Sequence, residues 1–274
     1  MELIRSRNNK TATNEVKTLS KEQEAFFSEK GFVHLPGFFS ETEIKTCLNE
    51  ISRIQQELIS TNASSVNGIP IYWGNSEQFG RFIHRMPFLS TFSAPISCLI
   101  NSKKVRSLTK LLSGHSRLGE FEKDGLVLNQ YSYVKTSKFK GMGWHTDCMR
   151  DLFYFRKTYP MLNIGIHLTN TTQQMGSLRV LPGTHKQNLW SLFTKKLYYL
   201  NNSDDKDEVE IITAKGDLTI HHGHIWHRVK PPVVSNDNLS MRKVMYIPVI
   251  CDPIQIKNIN SKTPFYHKFQ KLYR

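Results

Sequence analysis

Five short segments decide how this chain folds: LVLNQYSYVK (126–135), MLNIGIHLTN (161–170), SLRVLPG (177–183), GDLTIHHG (216–223) and MRKVMYIPVI (241–250). Each is rich in β-branched and aromatic residues and is bounded by Gly, Pro, Asn or Asp, which is the pattern of a short strand between turns. Residues before about 117 have a different texture. Ser20 with Gln23 and Ser40 with Glu43 are capping-box pairs, which place helix starts at residues 21 and 41. Between 41 and 60, Ile44, Cys47, Leu48, Ile51, Ile54 and Leu58 recur at helical spacing and predict an amphipathic helix. GFVHLPGFF (31–39) reads as a buried strand, and SKKVRSLTKLLS (102–113) as a helix ending at Gly114. Residues 61–100 carry aromatics and turns with no clear period. Helices followed by evenly spaced strands predict a mainly β protein, with flanking helices packed on a sandwich or barrel.

The composition bounds the function. A chain of 274 residues is long enough for a full core, and 39% hydrophobic with 11% aromatic content excludes a disordered polymer. Residues 1–18 read as a polar tail, and 19–274 as a single domain. No repeat or linker divides it, and NNSDDKDEVE (201–210) reads as a charged surface loop. The four cysteines (Cys47, Cys98, Cys148 and Cys251) form no CxxC pair, which fits reduced thiols in a cytoplasmic protein. No apolar leader and no run of 18 apolar residues occurs. The net charge of +14 points to an anionic partner: nucleic acid, a lipid head group, or a substrate bearing phosphate or carboxylate. The Lys and Arg are spread along the chain without a basic run, which weighs against nucleic acid.

The chemistry concentrates in two stretches. GMGWHTDCMRD (141–151) holds His145-Thr146-Asp147. Residues i and i+2 of a strand share a face, so this imidazole and this carboxylate can reach one metal ion. GDLTIHHGHIWHRVKPP (216–232) offers His221, His222, His224 and His227 as a distant third ligand. Two His and one carboxylate on one face of a metal form the ligand set of non-heme Fe(II) oxygenases, whose open positions take a cosubstrate and O₂. His-x-Asp alone is weak, because a His near an Asp is more often an ordinary surface pair.

In their order and context these motifs resemble the phytanoyl-CoA dioxygenase family of Fe(II)/2-oxoglutarate oxygenases, from about residue 24 to 250. FFSEKGFVHLPGFFSETEI (26–44) is similar to the family's opening helix–strand–helix, and NQYSYVKTSKFKGMGWHTD (129–147) to its strand leading into the metal motif. MGSLRVLPGTHK (175–186) is similar to its Gly-x-Leu-x-x-x-Pro-Gly-Ser/Thr-His turn, and GDLTIHHGHIWH (216–227) to its Gly-Asp strand ending on the distal His.

The resemblance implies a double-stranded β-helix core of jelly-roll or cupin type. It implies iron on His145, Asp147 and His227, with His222 or His224 as alternatives to His227. The distal carboxylate of 2-oxoglutarate falls to Arg242, whose planar fork suits a bidentate carboxylate contact. Tyr133 is a candidate cosubstrate contact, because either Gln130 and Ser132 or Tyr131 and Tyr133 point into the barrel. His185 reads as structural, His167 as a strand residue near the pocket and not a ligand, and Trp144 as packing. Asp147 stands where halogenating relatives carry a small residue, so hydroxylation or a related oxidation is implied. Arg228 and Val229 follow the distal His where the family often has a small pair, and the loop from there to Arg242 is long.

The implied activity is hydroxylation of an unactivated C–H in a small anionic, lipid-like or secondary-metabolite substrate, with release of succinate and CO₂. Substrate selection would lie in 61–100, 148–159 and 186–210. Three rivals remain open: a nucleic-acid-binding protein, a non-catalytic β-barrel binding protein, and a zinc hydrolase.

Overall fold

The computed structural model describes residues 18–132, 142–149, 159–188, 190–191, 195–196, 203–230, 241–251, 253–264 and 267. The predicted N-terminal tail, except residue 18, and Tyr133 lie outside these residues. So do most of the 148–159 insert and parts of 186–210. In chain order the elements begin with α1 (Lys21–Lys30), β1 (Phe32–Leu35), α2 (Glu41–Ser60), β2 (Ser65–Val66), β3 (Ile69–Pro70), β4 (Tyr72–Ser76) and β5 (Gly80–Met86). Next come α3 (Ala94–Ile100), α4 (Lys103–Ser107), β6 (Arg117–Leu118), β7 (Val127–Tyr131), β8 (Met142–His145) and β9 (Met161–His167). The series ends with β10 (Leu178–Val180), β11 (Val209–Ile211), β12 (Leu218–His222), β13 (His227–Val229) and β14 (Arg242–Ile250).

Both capping boxes form as the sequence predicts, with Ser20 and Ser40 accepting from the backbone N–H three residues on. Gly31 closes α1 at φ +80°, and a Cβ there would lie 2.3 Å from Nδ1 of His185. Only glycine therefore permits both the left-handed turn and the close ring. The helix predicted over 102–113 is shorter, because α4 gives way to a 3₁₀ turn at Leu108–Leu111. The aperiodic 61–100 region is two hairpins and a short helix; β5 joins the main sheet beside β7.

The major sheet runs β1-β12-β9-β14-β7-β5-β4, with β6 on the end of β14; the minor sheet runs β11-β10-β13-β8. All pairings are antiparallel. One face of the major sheet presents Leu128, Ile164, Ile166, Leu218, Ile220, Met245 and Ile247 to Ile44, Ile51 and Ile54 of α2. Alternation then turns Asn163, Gly165, His167, Thr219, His221, Arg242 and Tyr246 toward the minor sheet. This is a jelly-roll, double-stranded β-helix core with helices on one flank, as the motifs imply. No helix among the described residues is long and apolar enough to cross a membrane. All four cysteines are free thiols.

Residues 201–210 are more than a solvated loop where they are described. Arg228 is fully buried, and its Nη2 donates to Asp204 at 2.6 Å and to both oxygens of Glu208 at 2.9 and 2.7 Å. Its guanidinium lies 5.0 Å from the ring centroid of Trp144, whose Nε1 donates to the carbonyl of Ser203. The acidic loop thus clasps the outer face of β13.

Candidate active site

His145 ends β8 and His227 begins β13, and the two are register partners across the minor sheet. Their ring centroids are 4.1 Å apart. Each donates its Nδ1–H to a carbonyl two residues back, His145 to Gly143 at 2.8 Å and His227 to Ile225 at 3.1 Å. That hydrogen bond sets the tautomer with the lone pair on Nε2, the state a metal ligand needs. Asp147 follows β8 in a turn tied down where Cys148 N–H donates to the carbonyl of Gly223. His145, Asp147 and His227 each offer one ligand atom, and these atoms all lie within 4.8 Å of one another. Neither His222 nor His224 joins this group. His222 instead accepts from the backbone N–H of His224 and lies near His185.

The electrostatics match the geometry. Burial, and then the neighbouring His145, hold His227 well below the ordinary imidazole range; burial also lowers His145 against the opposing pull of Asp147. Burial pushes the Asp147 carboxyl up, but the imidazoles of His227, His221 and His145 outweigh it and hold the carboxyl well below its usual value. At neutral pH the site therefore offers two neutral imidazoles and one carboxylate, a donor set that fits a divalent metal.

Arg242 opens β14 and is 2% exposed, so it is no surface residue. Its register partner is Tyr131, and the guanidinium sits 5.3 Å from that ring's centroid. Nη1 donates to the carbonyl of Gly176 at 3.4 Å, in the turn before β10. Of the two alternatives on β7, Tyr131 faces the interior and packs with Met175, Val244 and Tyr246. Gln130 faces the opposite way and donates to Gln55 of α2. Tyr246 is pushed well above the ordinary phenol range by burial. A Cβ on Gly165 would lie 2.7 Å from its ring, so β9 is cut away to admit this tyrosine. His167 ends β9 outside the metal group, with its two ring nitrogens held by Thr219 and Thr213, each at 3.0 Å. His185 braces α1 through the carbonyl of Ser28, and Trp144 packs with Leu181 and Trp226.

The sequence offered His221 only as one of four candidate third ligands and did not single out Asn163. His221 of β12 and Asn163 of β9 are register partners, and both donate to Oδ2 of Asp147, at 3.0 and 3.1 Å. The available signal was alternation: Leu218 and Ile220 mark the core face, which puts Thr219 and His221 inside.

Residues 27–232 match the family model of phytanoyl-CoA dioxygenase (PhyH). The chain is 24% identical over 221 residues to a Stutzerimonas stutzeri protein named "Probable alpha-ketoglutarate-dependent hypophosphite dioxygenase", covering 77% of this chain and 72% of that one. Among solved structures it is similar to EctD from S. alaskensis with bound Fe, with a TM-score of 0.62, 15% identity, and coverage of 91% and 83% of the two chains. It is also similar to the non-heme alpha ketoglutarate dependent epimerase SnoN from nogalamycin biosynthesis, with a TM-score of 0.60, 16% identity, and coverage of 84% and 82%.

Proposed function

Since the chain belongs to the phytanoyl-CoA dioxygenase family and is an Fe(II)/2-oxoglutarate-dependent dioxygenase, we propose that it hydroxylates an unactivated C–H of a small anionic molecule, with residues 19–274 acting as one domain. Iron(II), 2-oxoglutarate and O₂ supply the oxidising power of this enzyme class, with succinate and CO₂ as coproducts. His145, Asp147 and His227 hold the metal. The observation that carries this assignment is the convergence of their ligand atoms within 4.8 Å from β8, the turn after it, and β13.

Arg242 grips the distal carboxylate of 2-oxoglutarate. Its burial supports this role, because a guanidinium this enclosed binds an anion with little competition from water. Tyr131, Val244 and Met175 wall the same end and keep it dry. An anionic substrate is supported by the net charge of +14 and by the relative named for hypophosphite, itself an anion. Tyr133, two residues after Tyr131 in the sequence, is proposed as a further cosubstrate contact.

The test is anaerobic addition of Fe(II) and 2-oxoglutarate, followed by O₂ and a panel of anionic metabolites that includes hypophosphite. A visible charge-transfer band and succinate formation that needs both iron and 2-oxoglutarate are expected, with both lost in Asp147→Ala. Hydrolysis supported by zinc alone, or succinate formation unchanged in Asp147→Ala, would overturn the assignment.

A further inference from the structure

A third imidazole lies at the candidate metal centre. His221 is 2% exposed and sits 4.5 Å from His227, ring centroid to ring centroid. It is not one of the three side chains whose ligand atoms group within 4.8 Å. Its Nε2 lies 3.0 Å from Oδ2 of Asp147, and an ionised carboxylate only accepts, so Nε2 is the protonated nitrogen. Nδ1 has no hydrogen-bond partner among the described residues. Asn163 donates to the same Oδ2 from the neighbouring strand. The two donors are directly paired residues of β12 and β9, so a single cross-strand pair on the major sheet reaches across the interior to one oxygen of a carboxylate carried by the minor sheet. The other oxygen, Oδ1, faces His227 Nε2 at 3.8 Å.

We propose that His221 is a positioning residue: with Asn163 it engages Oδ2 of Asp147 and thereby presents Oδ1 to the metal between His145 and His227. A carboxylate on a turn can rotate about χ2 and bind a metal through either oxygen or both. Two donors on Oδ2 remove that freedom, so the metal meets one preset oxygen. With no partner on Nδ1 among the described residues, the bond to Asp147 is the side-chain contact that orients His221.

The inference rests on Asp147 being a ligand, and the experiment separates the two claims. Co(II) alone is titrated into the metal-free full chain and followed by its visible bands, with affinities set by competition against a chelator. Asp147→Ala tests the ligand assignment. His221→Phe keeps the ring volume and removes the donor, and His221→Gln returns an N–H donor to the Nε2 position. A loss of about 10- to 100-fold in affinity is expected for His221→Phe, with His221→Gln within threefold of the parent and thermal unfolding of the metal-free variants unchanged.

An effect below threefold in His221→Phe, or a His221→Gln as weak as His221→Phe, overturns the proposal while leaving Asp147 as a ligand. Parent-like affinity in Asp147→Ala overturns the site itself. Should His221→Phe fail to fold, Asn163→Ala removes the other donor from Oδ2, and an effect below threefold there also overturns the proposal.

Discussion

Arg242 and Arg228 show how little a residue's type says about its task. Both are buried guanidinium groups on strands, Arg228 in the middle of β13 and Arg242 at the start of β14. Arg228 pairs with the carboxylates of Asp204 and Glu208 and lies over the Trp144 indole face. Arg242 lies over Tyr131, its Nη1 donates to the carbonyl of Gly176 at 3.4 Å, and alternation turns it toward the space between the sheets. The difference yields a prediction. Arg242→Lys keeps the charge but loses the planar fork, so the KM for 2-oxoglutarate should rise about 10-fold or more, with kcat changing less. Steady-state kinetics with 2-oxoglutarate varied would check this, and an unchanged KM would remove Arg242 from the cosubstrate pocket.

Elements explain why the site is where it is. β8 and β13 pair so that His145 faces His227, while β9 and β12 pair so that Asn163 lies beside His221. Four strands thus supply the centre through two cross-strand pairs and one turn, and period-2 alternation hides the opposite faces in the core or against the acidic loop. That loop has a measurable role. Glu208→Ala leaves the buried Arg228 with a diminished partner set and should cost about 1–3 kcal/mol of stability. Asp204→Ala, on a side chain 66% exposed, should cost no more than about 1 kcal/mol. Urea unfolding of the two variants checks the order; equal effects would mean that the loop is not clasped through Glu208.

For the molecule as a whole, burial of neutral histidines sets the acid response. His145, His167 and His227 lie below their ordinary value chiefly through burial, and His222 is lowered to about 3 by burial and its neighbours His224 and His185. A depressed folded value means that the unfolded chain binds protons first. Stability is therefore intact above about pH 6.5 and is lost as pH falls toward 3, each group contributing at most about 1.4 kcal/mol per pH unit. Asp147, also depressed, acts in the same direction but only below the carboxylate range. Chemical denaturation of the metal-free protein at a series of pH values should show this slope, and His222→Gln should flatten it by up to one proton. An unchanged slope would mean that His222 is accessible to solvent protons when folded.

The overall charge reads differently in this light. Many of the basic groups, among them Arg53, Lys104, Arg85, Arg179, Lys196 and Arg228, sit in ion pairs with carboxylates, while Arg242 is buried on the inner face of the major sheet.

Local chemistry was legible in the linear chain because it depends on near neighbours. Capping boxes, the apolar stripe of α2, the alternating strands and the His-x-Asp pair are all written within a few residues. The order of the motifs was enough to reach the fold and the oxygenase class. The choice of His227 over His222 and His224, the burial of Arg242, the inward turn of Tyr131, and the His221–Asn163 pair on Asp147 depend on strand register and on which sheet faces which. The Asn163–Asp147 and His221–Asp147 bonds and the His145–His227 pair join residues 16, 74 and 82 positions apart, and only the packing of the two sheets brings them together.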